Sequence, residues 1–194
     1  AELACYIEIE ACNEKIGKQD QYAASFGGMN HIEFSKDETI VTPVNVPNYT
    51  LYDLNERLMM FYTGVTRNAA DILAKQSADT WDKARLMFQM VTMAKYGISY
   101  LKQEELDNFG NLLNDAWSIK KQMGDGISNP VFDQIYEDAM SAGALGGKIL
   151  GAGGGGFFLF YVPFYSQDKV REKLKHLKEF KFRFEDKGSQ IVYG

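Results

Sequence analysis

Two short segments of this sequence carry residues that could act on a phosphate group. The first is GKQDQY, residues 17–22, in which the ammonium group of Lys18 and the carboxylate of Asp20 are two positions apart. A carboxylate can orient or deprotonate a hydroxyl group that attacks phosphorus, and a nearby ammonium group can stabilise charge on the transferred phosphate. The same pattern suits a helix N-terminus with an exposed ion pair, which contributes little energy. Spacing alone leaves both interpretations open.

The second segment is rich in glycine. Residues 151–156 read GAGGGG, and the apolar run FFLFYV follows directly. Linkers are usually flanked by polar residues, so the apolar run favours a loop before a buried strand over a flexible linker. Glycine adopts positive φ and exposes its backbone N–H, which suits a tight loop or a phosphate cradle. The candidate residues for such a cradle are Gly151, Gly153, Gly154, Gly155 and Gly156.

Two common phosphate-binding loops do not fit this segment. The spacing of residues 151–156 satisfies GxGxxG, but that fingerprint requires a helix directly after the glycines, and here a strand is predicted. A Walker A loop requires Ser or Thr after its lysine, whereas Ile149 follows Lys148. Ala142 also stands where that loop's first glycine should be. The glycine run therefore belongs to another kind of site.

Composition narrows the class of protein. The chain has 194 residues, 45% of them hydrophobic and 24% charged, which is typical of one large or two small globular domains. The net charge of −5 argues against nucleic acid or an anionic membrane as the main partner. Cys5 and Cys12 would lie about 10 Å apart on a helix, too far for a disulfide. We therefore predict a cytoplasmic protein with reduced thiols.

Two other classes of enzyme find little support. No set of His, Cys and carboxylate residues has the spacing of a metal site, so we predict no protein-bound metal. The scattered serines do not indicate a Ser-His-Asp site. A zinc enzyme and a triad hydrolase are both disfavoured.

The elements that must position the two segments follow an α+β pattern. Residues 1–16 are predicted to form a helix with Leu3, Ile7 and Cys12 on one face. Strands are predicted at residues 29–34, 39–46, 54–62, 179–184 and 190–192, and directly before and after the glycine run. Further helices are predicted at residues 66–76, 80–100, 103–122, 130–142 and 166–177. We predict helices packed on an antiparallel sheet.

Two further details of the helical region can be predicted. Gly97 is a candidate helix breaker, as are Gly124-Asp125-Gly126 and Asn129-Pro130. Met87, Met90 and Met93 recur at three-residue spacing, which favours packing in a core over a functional methionine surface.

The first residues lack an initiator Met and an N-cap residue. We therefore expect this chain to be the C-terminal part of a longer protein. A processed or tagged protein that lost only a few residues is the alternative.

The two chemistry-bearing segments together resemble a known superfamily. GKQDQYAASFGGMN resembles the catalytic-aspartate segment of the GHMP small-molecule kinases, and GGKILGAGGGGFFLFYVP resembles their glycine-rich third motif. FYTGVTRNAADIL resembles a strand-to-helix junction of the sugar-kinase members. Within the superfamily, the sequence of these segments most resembles that of the D-glycero-D-manno-heptose 7-phosphate kinases, and the resemblance covers nearly the whole chain.

The resemblance implies an activity and its substrates. Members of that group transfer phosphate from ATP, with Mg2+, to the anomeric hydroxyl of a heptose phosphate. Another GHMP sugar kinase, of the galactose or fucose type, is one alternative. A non-catalytic ligand-binding module is another, because the superfamily's PxxxGLGSSA-type ATP loop does not occur in this chain. The implied partners are the sugar phosphate, ATP and the N-terminal part of the same protein, and the chain is a candidate homodimer.

The resemblance also assigns roles to residues and to domains. It makes Asp20 the catalytic carboxylate and Lys18 a neighbouring catalytic cation, and it places Gln21, Tyr22 and Arg67 at the substrate. Glycines 151 and 153–156 would bind the nucleotide phosphates. Residues 1–50 would be the remainder of the N-terminal GHMP kinase domain and residues 51–194 the C-terminal domain.

Overall fold

The chain divides into two compact units. The computed structural model describes residues 1–65, 81–151 and 154–193. The first unit comprises Ala1–Val46 and the C-terminal segment that begins at Arg183, and the second comprises Pro47–Phe182.

The first unit contains two helical segments and a hairpin. Helix α1, Glu2–Cys5, continues as a π-helical segment at Tyr6–Ala11, and α2 spans Gln19–Phe26. Strand β1, Asn30–Phe34, pairs antiparallel with β2, Thr39–Pro43. Both predicted strands are thereby confirmed, with β2 ending earlier than expected.

The opening helix ends at Ala11, earlier than predicted, and the residues predicted on its apolar face are exposed. Leu3 is 71% exposed and Ile7 is 47% exposed, whereas Cys5 is buried and Cys12 is exposed. The π-helical segment after Cys5 changes the number of residues per turn, so a 3.6-residue period does not predict which side chains share a face.

The second unit places helices on a four-stranded antiparallel sheet. Its strand order is β4-β5-β3-β6, which confirms the predicted α+β class. The strands are β3, Leu58–Tyr62; β4, Gly146–Ile149; β5, Phe157–Tyr161; and β6, Lys178–Phe180. The helices are α3, Asn48–Arg57; α4, Trp81–Lys102; α5, Leu106–Gln122; α6, Pro130–Ser141; and α7, Gln167–Lys173.

The core of this unit lies between the sheet and the helices. Phe158 and Phe160 on β5 are fully buried, and Trp117 of α5 and Tyr136 of α6 pack against them. In α6, the Asn129 side chain accepts hydrogen bonds from the N–H groups of residues 131 and 132 at 3.0 Å. That cap, followed by proline at the first helical position, explains why α6 begins where the sequence predicts.

Glycines allow α5 to pack directly on the sheet. A Cβ on Gly110 would lie 2.4 Å from the Tyr161 ring, and a Cβ on Gly146 would lie 2.1 Å from the Gly110 carbonyl oxygen. A Cβ on Gly147 would lie 2.5 Å from the Phe160 ring. Since real Cβ atoms essentially never approach within 3.0 Å, these three positions require glycine.

Four details of the predicted elements are wrong. Residues 54–57 end helix α3, and only residues 58–62 form the strand. Gly97 does not break a helix but lies inside α4, and Met87 is 57% exposed. Residues 190–192 form no strand in the described structure, and β6 spans residues 178–180.

The predicted helix at residues 66–76 lies outside the described residues.

A membrane-crossing helix is not found among the described ranges, because none of their helices combines the necessary length and hydrophobicity.

Candidate functional site

Helix α2 carries the candidate catalytic pair. Lys18 occupies the N-cap position and Asp20 lies in the first turn, and both side chains are exposed. Gly27, with φ of +63°, follows the helix. The structure therefore presents a carboxylate that can accept a proton or orient a hydroxyl.

Gln21 faces the interior of the unit. Its side chain is 5% exposed, and its amide nitrogen donates to a carboxylate oxygen of Glu8 at 2.5 Å. A hydrogen bond to a charged group stabilises by about 1.5–3 kcal/mol. This bond ties the start of α2 to the segment that follows α1.

Tyr22 is also buried, at 7% exposure. Its ring stacks on Phe26 at a centroid distance of 6.1 Å and meets Phe34 of β1 edge to face at 5.4 Å. Together with Gln21 it was predicted to contact substrate, yet both side chains pack inside the unit. Their contacts hold α2 against the hairpin and the opening helix.

The glycine-rich loop connects β4 to β5. Gly151, Gly154 and Gly156 have φ of +72°, +74° and +87°, so the loop's path requires glycine at these three positions. Gly155 lies between two of them, and Gly153 lies outside the described residues. The glycines therefore serve the backbone conformation first.

Hydrogen bonds within the unit already use part of this loop. The Gly154 N–H donates to the Ile127 carbonyl at 3.0 Å, and the Gly156 N–H donates to the Val65 carbonyl at 2.7 Å. The Thr63 hydroxyl and N–H both donate to the Gly156 carbonyl at 2.9 Å. Two of the N–H groups predicted to bind phosphate are therefore already engaged in hydrogen bonds within the unit.

Positive charge lies on the strand that enters the glycine loop. Lys148 is in β4, and Lys120 is in α5, which packs on that strand. Burial, and then repulsion from Lys148, lowers the pKa of Lys120. The two ammonium groups therefore interact electrostatically.

The structure keeps the predicted site residues in two groups. Lys18, Asp20, Gln21 and Tyr22 share α2 in the first unit, and Gly151 and glycines 154–156 share one loop in the second. Arg67 lies outside the described residues.

Sequence reasoning missed the residues that fix these two elements. Glu8, Thr63 and Ile127 contact them through bonds between segments distant in sequence. No local motif signals such contacts.

A cleft lies in the second unit, at the end of the sheet opposite the glycine loop. It has a volume of about 420 Å3 and is lined by α3 and the start of α5, with four carboxylates and Arg57. The Tyr161 hydroxyl donates to an Asp107 carboxylate oxygen at 2.8 Å, and burial, followed by this hydrogen bond, raises the pKa of Tyr161. In the described ranges, no group of three or more His, Cys or acidic residues is arranged to hold a metal ion.

The fold agrees with comparisons to known proteins. Residues 98–179 match the family of GHMP kinases C terminal. The chain therefore contains a GHMP kinase C-terminal domain. It is 34% identical over 165 residues to the D-glycero-alpha-D-manno-heptose 7-phosphate kinase of Campylobacter jejuni, a match that covers 84% of this chain and 49% of that protein.

Two further relatives are sugar kinases. A bifunctional fucokinase/GDP-fucose pyrophosphorylase of Arabidopsis thaliana is 28% identical over 143 residues, which cover 72% of this chain and 13% of that protein. The crystal structure of a D-glycero-D-manno-heptose 1-phosphate kinase from Bacteroides thetaiotaomicron superposes with a TM-score of 0.72 at 26% identity. That superposition covers 99% of this chain and 55% of the other. The chain spans about half the length of the heptose kinases it matches.

Proposed function

We propose that the protein containing this chain is an ATP-dependent kinase that phosphorylates the anomeric hydroxyl of D-glycero-D-manno-heptose 7-phosphate, giving the 1,7-bisphosphate. The observation that carries the proposal is the exposed Lys18 and Asp20 pair at the start of α2. It occurs in a chain 34% identical to a heptose 7-phosphate kinase.

Asp20 would act on the sugar hydroxyl, orienting it or accepting its proton as it attacks the γ-phosphate of MgATP. Phosphoryl transfer of this kind proceeds in line and needs positioning and charge stabilisation more than covalent chemistry. Lys18 would stabilise the negative charge that spreads over the transferred group.

The remaining predicted residues would support this pair. The glycine loop would form one wall beside the nucleotide phosphates, held rigid by Thr63 and Ile127. Arg67 would bind a phosphate of the sugar, since a guanidinium can grip a phosphate with two parallel hydrogen bonds. Gln21 and Tyr22 would act through α2, because both are buried.

A matched pair of variants tests the role of Asp20. In the full-length protein, Asp20→Asn should lower kcat by at least about 100-fold, as general-base and electrostatic contributions typically do. Asp82→Asn is the control, because Asp82 is exposed in the first turn of α4 and loses the same charge at the same kind of position. ADP formation with heptose 7-phosphate is the readout, and near-normal turnover by Asp20→Asn would refute the assignment.

A fucose-type sugar is the second candidate substrate. The similarity to the bifunctional fucokinase of Arabidopsis thaliana supports it. ADP formation with heptose 7-phosphate, fucose, galactose and mevalonate in parallel would separate the candidates. Phosphorus NMR of the product would then locate the new phosphate. ADP formation with none of them would favour a non-catalytic ligand-binding module.

A further inference from the structure

The C-terminal segment of the first unit crosses the end of helix α2. The Gly28 N–H donates to the Glu185 carbonyl at 2.8 Å, and the Ser189 N–H donates to the Ser25 carbonyl at 3.1 Å. These bonds join two parts of the chain that are distant in sequence. Residues 185–189, here called the crossing segment, are therefore attached to the C-terminal end of α2.

The crossing leaves no room for a side chain on either backbone. A Cβ on Gly27 would lie 2.3 Å from the Gly188 nitrogen, and a Cβ on Gly188 would lie 2.0 Å from the Ser25 carbonyl oxygen. Gly27 also has a positive φ, whereas Gly188 does not. The only requirement that the structure places on Gly188 is therefore this close approach.

Helix α2 is short enough for a displacement at one end to reach the other. It has 8 residues, and Asp20 in its first turn is about 8 Å along the axis from Ser25, at 1.5 Å per residue. Its two turns form a single hydrogen-bonded element, so a shift at Ser25 moves the carboxylate as well.

We propose that Gly188 is a positioning residue for catalysis. By letting the crossing segment pack directly on the backbone at Ser25, it holds α2 and so sets the place of the Asp20 carboxylate. This inference rests on the proposed function of Asp20 as the group that acts on the sugar hydroxyl.

Substitution at Gly188 is the direct test. A Cβ at 2.0 Å needs at least 1 Å of backbone displacement to reach the 3.0 Å limit of real Cβ contacts. A misplacement of this size can cost about 100-fold in rate. In the full-length kinase, Gly188→Ala should lower kcat by about 10- to 100-fold while KM for ATP changes by less than about twofold. Parental kcat would overturn the proposal.

A matched pair at the next residue keeps the test open if Gly188→Ala does not fold. Ser189→Pro removes the N–H that bonds to Ser25 and places the ring Cδ in its position, so it loosens the crossing, whereas Ser189→Ala retains that N–H. We expect a several-fold lower kcat for the proline variant and parental kcat for the alanine variant. Equal kcat for the two variants would contradict the role of the crossing segment.

A double variant separates positioning from a general loss of structure. If the crossing acts through Asp20, Gly188→Ala should lower kcat much less in the Asp20→Asn background than in the parent. The same factor in both backgrounds would overturn this proposal alone. Normal turnover by Asp20→Asn would overturn the proposed function and this inference together.

Discussion

A glycine-to-alanine change at position 110 should destabilise the second unit, although alanine is the better helix former. The new Cβ would lie 2.4 Å from the Tyr161 ring, so ring or helix must move by about 1 Å to reach an ordinary contact of 3.4 Å. The ring cannot tilt freely, because its hydroxyl donates to Asp107 one turn earlier on the same helix. Tyr161 is also fully buried.

The expected magnitude follows from three contributions. Overpacking a well-packed core costs about 1–3 kcal/mol. Disturbing the partly buried hydrogen bond of the Tyr161 hydroxyl adds about 1 kcal/mol, and the higher helix propensity of alanine offsets about 1 kcal/mol. The net loss in free energy of unfolding should be about 2 kcal/mol, which lowers Tm by about 4–8 °C in a protein of this size.

A matched control lies on the neighbouring helix. Gly97 is buried inside α4, but a Cβ there would meet only the Leu112 side chain at 3.4 Å and the Phe109 ring at 3.5 Å. Gly97→Ala should therefore leave Tm unchanged or raise it by about 2 °C. Thermal unfolding followed by circular dichroism measures both variants.

Two results would refute this reasoning. One is a Gly110→Ala variant as stable as the parent. The other is an equal loss of stability in Gly110→Ala and Gly97→Ala. In a Tyr161→Leu background, which removes the ring, Gly110→Ala should cost clearly less than in the parent, and a double-mutant cycle quantifies this coupling.

Two further predictions concern a loop glycine and a helix cap. Gly156→Ala should lower the free energy of unfolding by about 1–2 kcal/mol, because Gly156 has a φ of +87°, although a Cβ there would meet no atom within 4 Å. A Cβ on Gly17 would also meet no atom, and Gly17 does not have a positive φ, so Gly17→Ala should change that free energy by less than about 0.5 kcal/mol. Equal effects in urea unfolding would contradict this reading. Asn129→Ala should cost about 1 kcal/mol by removing the α6 cap, and Asn129→Ser should retain most of it. An unchanged urea midpoint for Asn129→Ala would show that the cap adds nothing.

Local signals predicted the elements whose causes are local. The residue types of segments 29–34 and 39–46 predicted strands β1 and β2, and Asn129-Pro130 predicted the start of α6. Helices α4 and α5 were also predicted, with boundaries shifted by at most a few residues. In these segments the turn residues, the cap and the period of the apolar residues all act within a few positions of one another.

Tertiary contacts decided what these signals could not. Leu54 lies in the last turn of helix α3 instead of starting a strand. Its side chain is 1% exposed, and a buried apolar residue fits either structure equally well. Gly97 lies in a helix because α4 packs closely on α5, and no local pattern shows that packing. Met87 is exposed, although it was predicted to pack in a core. The period of a helix predicts which residues share a face, but it does not show whether another element covers that face.

The sequence by itself determined which candidate functional groups are present: a carboxylate and an ammonium group two positions apart, and a glycine loop before a buried strand. It also indicated the superfamily, because those motifs are local and ordered. The tertiary structure alone decided that Gln21 and Tyr22 turn inward and that two loop N–H groups are already used. It alone placed Gly188 against α2, since that contact joins segments at opposite ends of the chain.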